Sequence, residues 1–148
     1  MISTIIDQEI KQAMLAKDQA KLRGLRAIKA ALLLAKTEKG QAEEINQEAE
    51  IKILQKLVKQ RKESATIYKE QGREDLYQVE QEEIDVISNF LPKQLERNEV
   101  EAIVARIVSE TGATSVKDMG KVMGLANKEL AGKADGKLIG EIVKSQLN

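Results

Sequence analysis

The residues Gly132-Lys133-Ala134-Asp135-Gly136-Lys137-Leu138 form the stretch of this chain whose types and spacing best suit holding an anion. Gly132 and Gly136 leave backbone amides uncovered, Lys133 and Lys137 flank them, and a helix is expected to start at the same place. Free N–H groups, the positive end of a helix dipole and two ammonium groups can together hold a phosphate. The same residues also make a plain helix–turn–helix connection, with Gly132 for the turn, Asp135 as N-cap and both lysines in water. The Asp135 carboxylate would compete with a phosphate for the same amides. The segment is not a P-loop, because it lacks the G-x-x-x-x-G-K-[ST] spacing.

A second candidate is the pair Gly120 and Gly124, four apart inside an expected helix. Each costs about 1 kcal/mol against Ala in a helix interior, so the pair asks for a reason. Close packing against another helix is the expected one, and a bare backbone face offered to a partner is the alternative. Arg23, Arg26 and Lys29 lie within two turns, in a region (residues 1–40) with eight basic and four acidic side chains. Lys52, Lys56 and Lys59 share a face of a later helix. Together these make either a basic groove for RNA or a solvated salt-bridge surface. The acidic cluster Glu80, Glu82, Glu83 and Asp85 reads as solvent-facing carboxylates, since adjacent helix positions diverge. No catalytic residue is assigned: the serines have no histidine to activate them, and no S-x-x-K spacing occurs.

Composition narrows the chemistry further. The 148 residues contain no cysteine and no histidine, which removes disulfides, thiolate nucleophiles, Cys-based zinc sites and the commonest general base. No metal or other cofactor is expected. The 24 basic and 24 acidic side chains balance, so there is no global pull towards nucleic acid or membrane. Tyr68, Tyr77 and Phe90 are the only aromatics, which argues against stacking single-stranded bases. Any RNA reading is therefore one of shape and backbone recognition. The start of the chain lacks a basic end and apolar core, and the longest apolar run, Ala30 to Ala35, is too short to span a bilayer. A cytoplasmic location is the expectation.

The elements that must position these residues are all helical by apolar spacing. Ile2, Ile5, Ile6, Ile10, Ala13 and Met14 form one stripe, and Leu22, Leu25, Ile28 and Leu32 a second, with a break near residues 16–18 and Gly40 as the expected end. A third helix is expected from about Glu43 to Gln71, with Leu54, Leu57, Val58, Arg61, Ala65 and Tyr68 on one face and Gly72 ending it. A fourth runs from about Arg73 to Phe90, with Leu76, Val79, Ile84, Ile87 and Leu91 apolar. Pro92, the only proline, marks the expected domain boundary, giving residues 1–92 and 93–148. The second module should hold three helices. Gly112 caps the first, Ser115-x-x-Asp118 opens the second and Asp135 caps the third.

Several ordered motifs carry a resemblance. Lys59-Gln60-Arg61-Lys62-Glu63-Ser64, Gly72-Arg73-Glu74-Asp75-Leu76, Leu91-Pro92-Lys93-Gln94-Leu95 and the C-terminal runs resemble the YqeY-like proteins over essentially the whole chain. The C-terminal residues Gly120, Val122, Met123, Gly132, Lys133, Ala134, Lys137, Leu138 and Glu141-Ile142-Val143-Lys144 are similar to the tail domain of the B subunit of the glutamine-dependent tRNA amidotransferases. The resemblance implies an all-α protein, an N-terminal cradle of about four helices followed by a three-helix tail, and it points towards tRNA. It implies no reaction, because the chemistry of that enzyme sits in other domains. The chain departs from the family pattern at Ala131, at Asn127-Lys128 and at Leu33 and Leu34, which replace polar residues.

The expected function is a non-catalytic tRNA-binding module, or an accessory to a tRNA-modifying or aminoacylating enzyme. Lys133, Lys137 and Lys121, with Gly132 and Gly136, would meet the RNA backbone, and Arg23, Arg26, Lys29 and Lys59 would be secondary. The alternatives are a protein adaptor using the Leu32 to Leu34 surface, or a component of a glutamine-dependent carbon–nitrogen ligase.

Overall fold

The computed structural model describes residues 1–38 and 45–148. Among these it contains seven α-helices, one short 3₁₀ turn and no strand, so the protein is all-α. Gly40 and Glu43, the expected end of the second helix and start of the third, lie outside the described residues. The chain divides into two compact units, Met1–Leu91 and Pro92–Asn148.

In the first unit, α1 (Ile2–Leu15) and α2 (Gln19–Glu38) form a hairpin about a turn in which Lys17 takes φ +56°. Asp18 follows that turn and accepts the Lys21 amide, starting α2. α3 (Gln47–Glu70) begins at Asn46, whose side chain accepts the Ala49 amide, and ends before Gly72 at φ +70°. α4 (Glu74–Ser88) follows at once, with Glu74 and Asp75 in its first turn facing the helix dipole favourably. Leu22, Leu25, Ile28 and Leu32 of α2 are buried with Ile2, Ile6, Leu54, Val58, Ile84 and Ile87 in one core. The apolar stripes are narrower than the spacing suggests: Ile5, Met14 and Val79 are exposed. α1 packs chiefly on one neighbour, α2, which leaves the flanks of its stripe in water.

α2 approaches α4 closely at Gly24. A Cβ there would sit 2.7 Å from the Val86 side chain, so glycine is what lets these helices touch. Glu50 is fully buried, although it stands on α3 in a run of solvent-suited residues. Its two carboxylate oxygens accept the Ile2 and Ser3 amides at 3.0 and 2.9 Å. An acid from α3 thus caps the start of α1, where a negative charge is favoured.

The second unit holds α5 (Arg97–Thr111), a 3₁₀ turn (Val116–Asp118), α6 (Met119–Glu129) and α7 (Gly136–Leu147). Each α-helix packs on the other two around Val100, Val104, Ile107, Val122, Ala126, Leu130, Ile139, Ile142, Val143 and Leu147. Glu96 and Glu99 make a reciprocal capping box on α5, and Gly112 ends that helix at φ +69°. Ser115 and Asp118 make a second box, which opens the 3₁₀ turn leading into α6.

Candidate functional site

The connection between α6 and α7 is built from the backbone. Gly132 takes φ +76°, its carbonyl accepts Gln94 Nε2 at 2.6 Å, and the Lys133 carbonyl accepts the Leu95 amide at 2.9 Å. Ala134 is buried beneath the loop. The Lys133 amide donates to the Leu130 carbonyl at 2.9 Å, and the Lys137 amide donates to the Asp135 carboxylate at 3.3 Å. Two of the amides that a phosphate would use are therefore engaged within the fold. The connection presents the exposed side chains of Lys133 and Lys137 beside a capped helix start.

The α6 glycines overturn an expectation. Gly120 and Gly124 do not pack against another helix of the fold: a Cβ at either position would meet no atom within 4 Å. Val122, Ala126 and Leu130 take the buried side of α6, which turns both glycines outward. Lys121, Gly124 and Lys128 follow at i, i+3 and i+7 on that outer side, with Gly120 beside them and Lys117 in the 3₁₀ turn that precedes the helix. All five are exposed. The result is a strip of bare helix backbone edged by three ammonium groups.

The carboxylates of this unit are largely committed elsewhere. Arg97 holds Glu101 at 2.9 Å, and Arg106 holds both Glu110, at 3.2 Å, and Glu129. These acids keep the Arg106 guanidinium protonated beyond its ordinary range, through its hydrogen bonds to Glu129 and Glu110. Glu96, Glu99, Asp118 and Asp135 serve as caps. Among the described residues, no carboxylate pairs with Lys117, Lys121, Lys128, Lys133 or Lys137.

The basic residues of the first unit are arranged otherwise. Arg23 reaches across to Glu82 of α4 at 2.6 Å, and Lys29 to Asp7 of α1 at 2.6 Å. Both spend their charge holding helices together at a half-exposed surface. Arg26 and Lys59 are exposed. The acidic run of α4 also separates by role: Glu82 meets Arg23, Glu83 lies 3.9 Å from the guanidinium of Arg61, and Asp85 accepts from Gln81. Among the described residues, no group of three or more acids gathers as a metal site would require. No helix among them is long and apolar enough to cross a membrane.

A family model, described as Yqey-like protein, matches residues 3–147. The chain belongs to the YqeY-like family. The match runs through both compact units of this YqeY-like chain, so the first four helices and the last three are parts of one family pattern. No curated protein matches the chain significantly.

Sequence reasoning did not single out Glu50 as buried or Gly24 as a contact. Glu50 stands among acids such as Glu48 that are well exposed, and Gly24 looks like any helical glycine. The i, i+3, i+7 spacing of Lys121, Gly124 and Lys128 was present in the sequence as a signal for the α6 face.

Proposed function

We propose that this YqeY-like protein is a non-catalytic, cytoplasmic RNA-binding module that acts on tRNA or beside a tRNA-handling enzyme. One observation carries the reading: the outer side of α6, bare at Gly120 and Gly124 and edged by Lys117, Lys121 and Lys128, has no carboxylate to neutralise it among the described residues. Bare backbone allows close approach, and unpaired lysines release counterions when they meet phosphates. All three aromatics precede Pro92, so the second unit has no ring on which to stack a base. That favours the phosphate backbone of a folded RNA. The choice of tRNA rests on the likeness of this segment to the amidotransferase tail. Lys133 and Lys137 add charge, and Arg26 is a further candidate.

The test is fluorescence anisotropy of the full chain with bulk tRNA at low and physiological salt, with duplex DNA as control. The expected result is salt-sensitive binding that favours tRNA. Lys121→Gln with Lys128→Gln should reduce the salt slope by about 2, roughly one for each phosphate that no longer meets an ammonium group. Equal weak binding to both nucleic acids, or an unchanged slope, would reject the reading.

A second reading, a protein adaptor without RNA contact, is favoured by Leu33 and Leu34, which are 53% and 60% exposed at the end of α2. Leu32 is buried in the core and is not part of that surface. A complex captured on the chain that survives nuclease and is abolished by Leu33→Ser with Leu34→Ser would support it.

A further inference from the structure

The carboxamide of Gln94 holds two carbonyls at once. Its Nε2 donates to the Pro92 carbonyl at 2.9 Å and to the Gly132 carbonyl at 2.6 Å. An amide NH₂ carries two donors, and both are used on carbonyls that lie outside the helices. One nitrogen therefore joins the peptide that precedes Lys93 to the peptide that precedes Lys133. Beside it the Leu95 amide donates to the Lys133 carbonyl, and the Lys133 amide donates to the Leu130 carbonyl, each at 2.9 Å. The backbone of Lys133 is thus fixed on both sides, while Gly132, at φ +76°, makes the turn. Lys93 and Lys133 are exposed, whereas Gln94 is half-buried. Among the described residues no carboxylate pairs with Lys93 or Lys133. The acids nearest to them in sequence, Glu96 and Asp135, cap α5 and α7, where the positive helix ends offset their charge.

We infer that residues 92–95 belong to the RNA-binding face, with Lys93 as a further phosphate contact and Gln94 as the residue that positions Lys93 and Lys133 together. This rests on the RNA reading given under the proposed function. A backbone fixed before binding lowers the ordering cost of bringing two cationic side chains to one ligand. None of the large apolar side chains that are exposed lies within residues 92–95 or 131–137. The patch therefore offers charge without apolar surface, which suits the backbone of a polyanion better than the core of a protein interface. Gln94 carries no charge and acts only through the lysines it holds.

The test is anisotropy of bulk tRNA with the full chain across a salt series, paired with amide hydrogen exchange. Lys93→Gln should reduce the salt slope by about 1. Gln94→Ala should speed exchange at the Leu95 and Lys133 amides and weaken tRNA binding at least about threefold in the native background. In a Lys93→Gln/Lys133→Gln background the same substitution should still speed exchange but leave tRNA binding unchanged, because no ammonium group remains for it to position. An equal loss of binding in both backgrounds would overturn the inference, giving Gln94 a structural role alone. So would faster exchange with native binding, unaltered exchange in Gln94→Ala, or an unaltered slope in Lys93→Gln, a variant with no partner in the fold to lose. If Lys121→Gln/Lys128→Gln lowers the slope while Lys93→Gln does not, the RNA reading stands and this extension of it falls. If the native chain shows no salt-sensitive preference for tRNA, both fall together.

Discussion

Both oxygens of the Glu50 carboxylate accept amide protons from the first turn of α1, inside a core otherwise built from aliphatic side chains. Glu50→Ala leaves the buried Ile2 amide and the part-buried Ser3 amide without their partner and should cost about 2 kcal/mol. Urea titration should show this as a lower midpoint at an unchanged m value. Glu80 makes an opposite case. Burial raises its pKa, the neighbouring Glu83 charge raises it further, and Arg61 only partly offsets them. The folded state therefore binds the Glu80 proton more readily than the unfolded state does, and stability from this group falls as pH rises from 4.5 through the raised value. Glu80→Gln should raise the Tm at neutral pH and lose that advantage below 4.5. Asp75 has the reverse sign: its hydrogen bond to Arg73 holds the carboxyl below its usual range, so its contribution is present at neutral pH and fades on acidification.

Three helical glycines show how an element's surroundings decide what a residue does. Gly24 lies where α2 meets α4, and an added methyl there would overlap Val86. Gly24→Ala should destabilise the fold by about 1–3 kcal/mol, since overpacking outweighs the gain in helix propensity. Gly120→Ala and Gly124→Ala meet open space and should each stabilise α6 by about 1 kcal/mol. If the bare face meets RNA, the same two substitutions weaken tRNA binding while raising the Tm. A gain in both would sink the close-approach argument. These glycines were visible as costly in the sequence, but periodicity could not show which one faced a neighbour.

For the molecule as a whole, the balance of 24 basic and 24 acidic side chains hides an uneven distribution of pairing. In the first unit Arg23, Lys21 and Lys29 hold Glu82, Glu9 and Asp7. In the second unit the arginines and helix caps take up most of the acids and, among the described residues, leave the lysines of α6 and of the α6–α7 connection unmatched. Charge reversal at Lys133 and Lys137 together should flatten the salt dependence of tRNA binding with little change in Tm, because both side chains are exposed and, among the described residues, hold no acid. Reversal at Arg23 should instead set a new acid against Glu82, lowering the Tm with little effect on binding. Parallel melts and anisotropy titrations of the two variants distinguish the roles.

The helical class, the buried stripe of α2, the glycine ends after α3 and α5 and the caps at Ser115 and Asp135 were all legible in the order of residue types. Each of these follows from local backbone preference or from a period of 3.6, which neighbouring residues express without help from distant ones. Family membership was legible for a related reason: it rests on several ordered runs of residue types. Tertiary structure alone decided that Glu50 is buried, that Gly24 touches a neighbouring helix while Gly120 and Gly124 are open, and that Arg23 and Lys29 are spent on ion pairs. These depend on which element comes to lie against each face, and two residues of the same type at the same helical spacing carry no local mark of that difference.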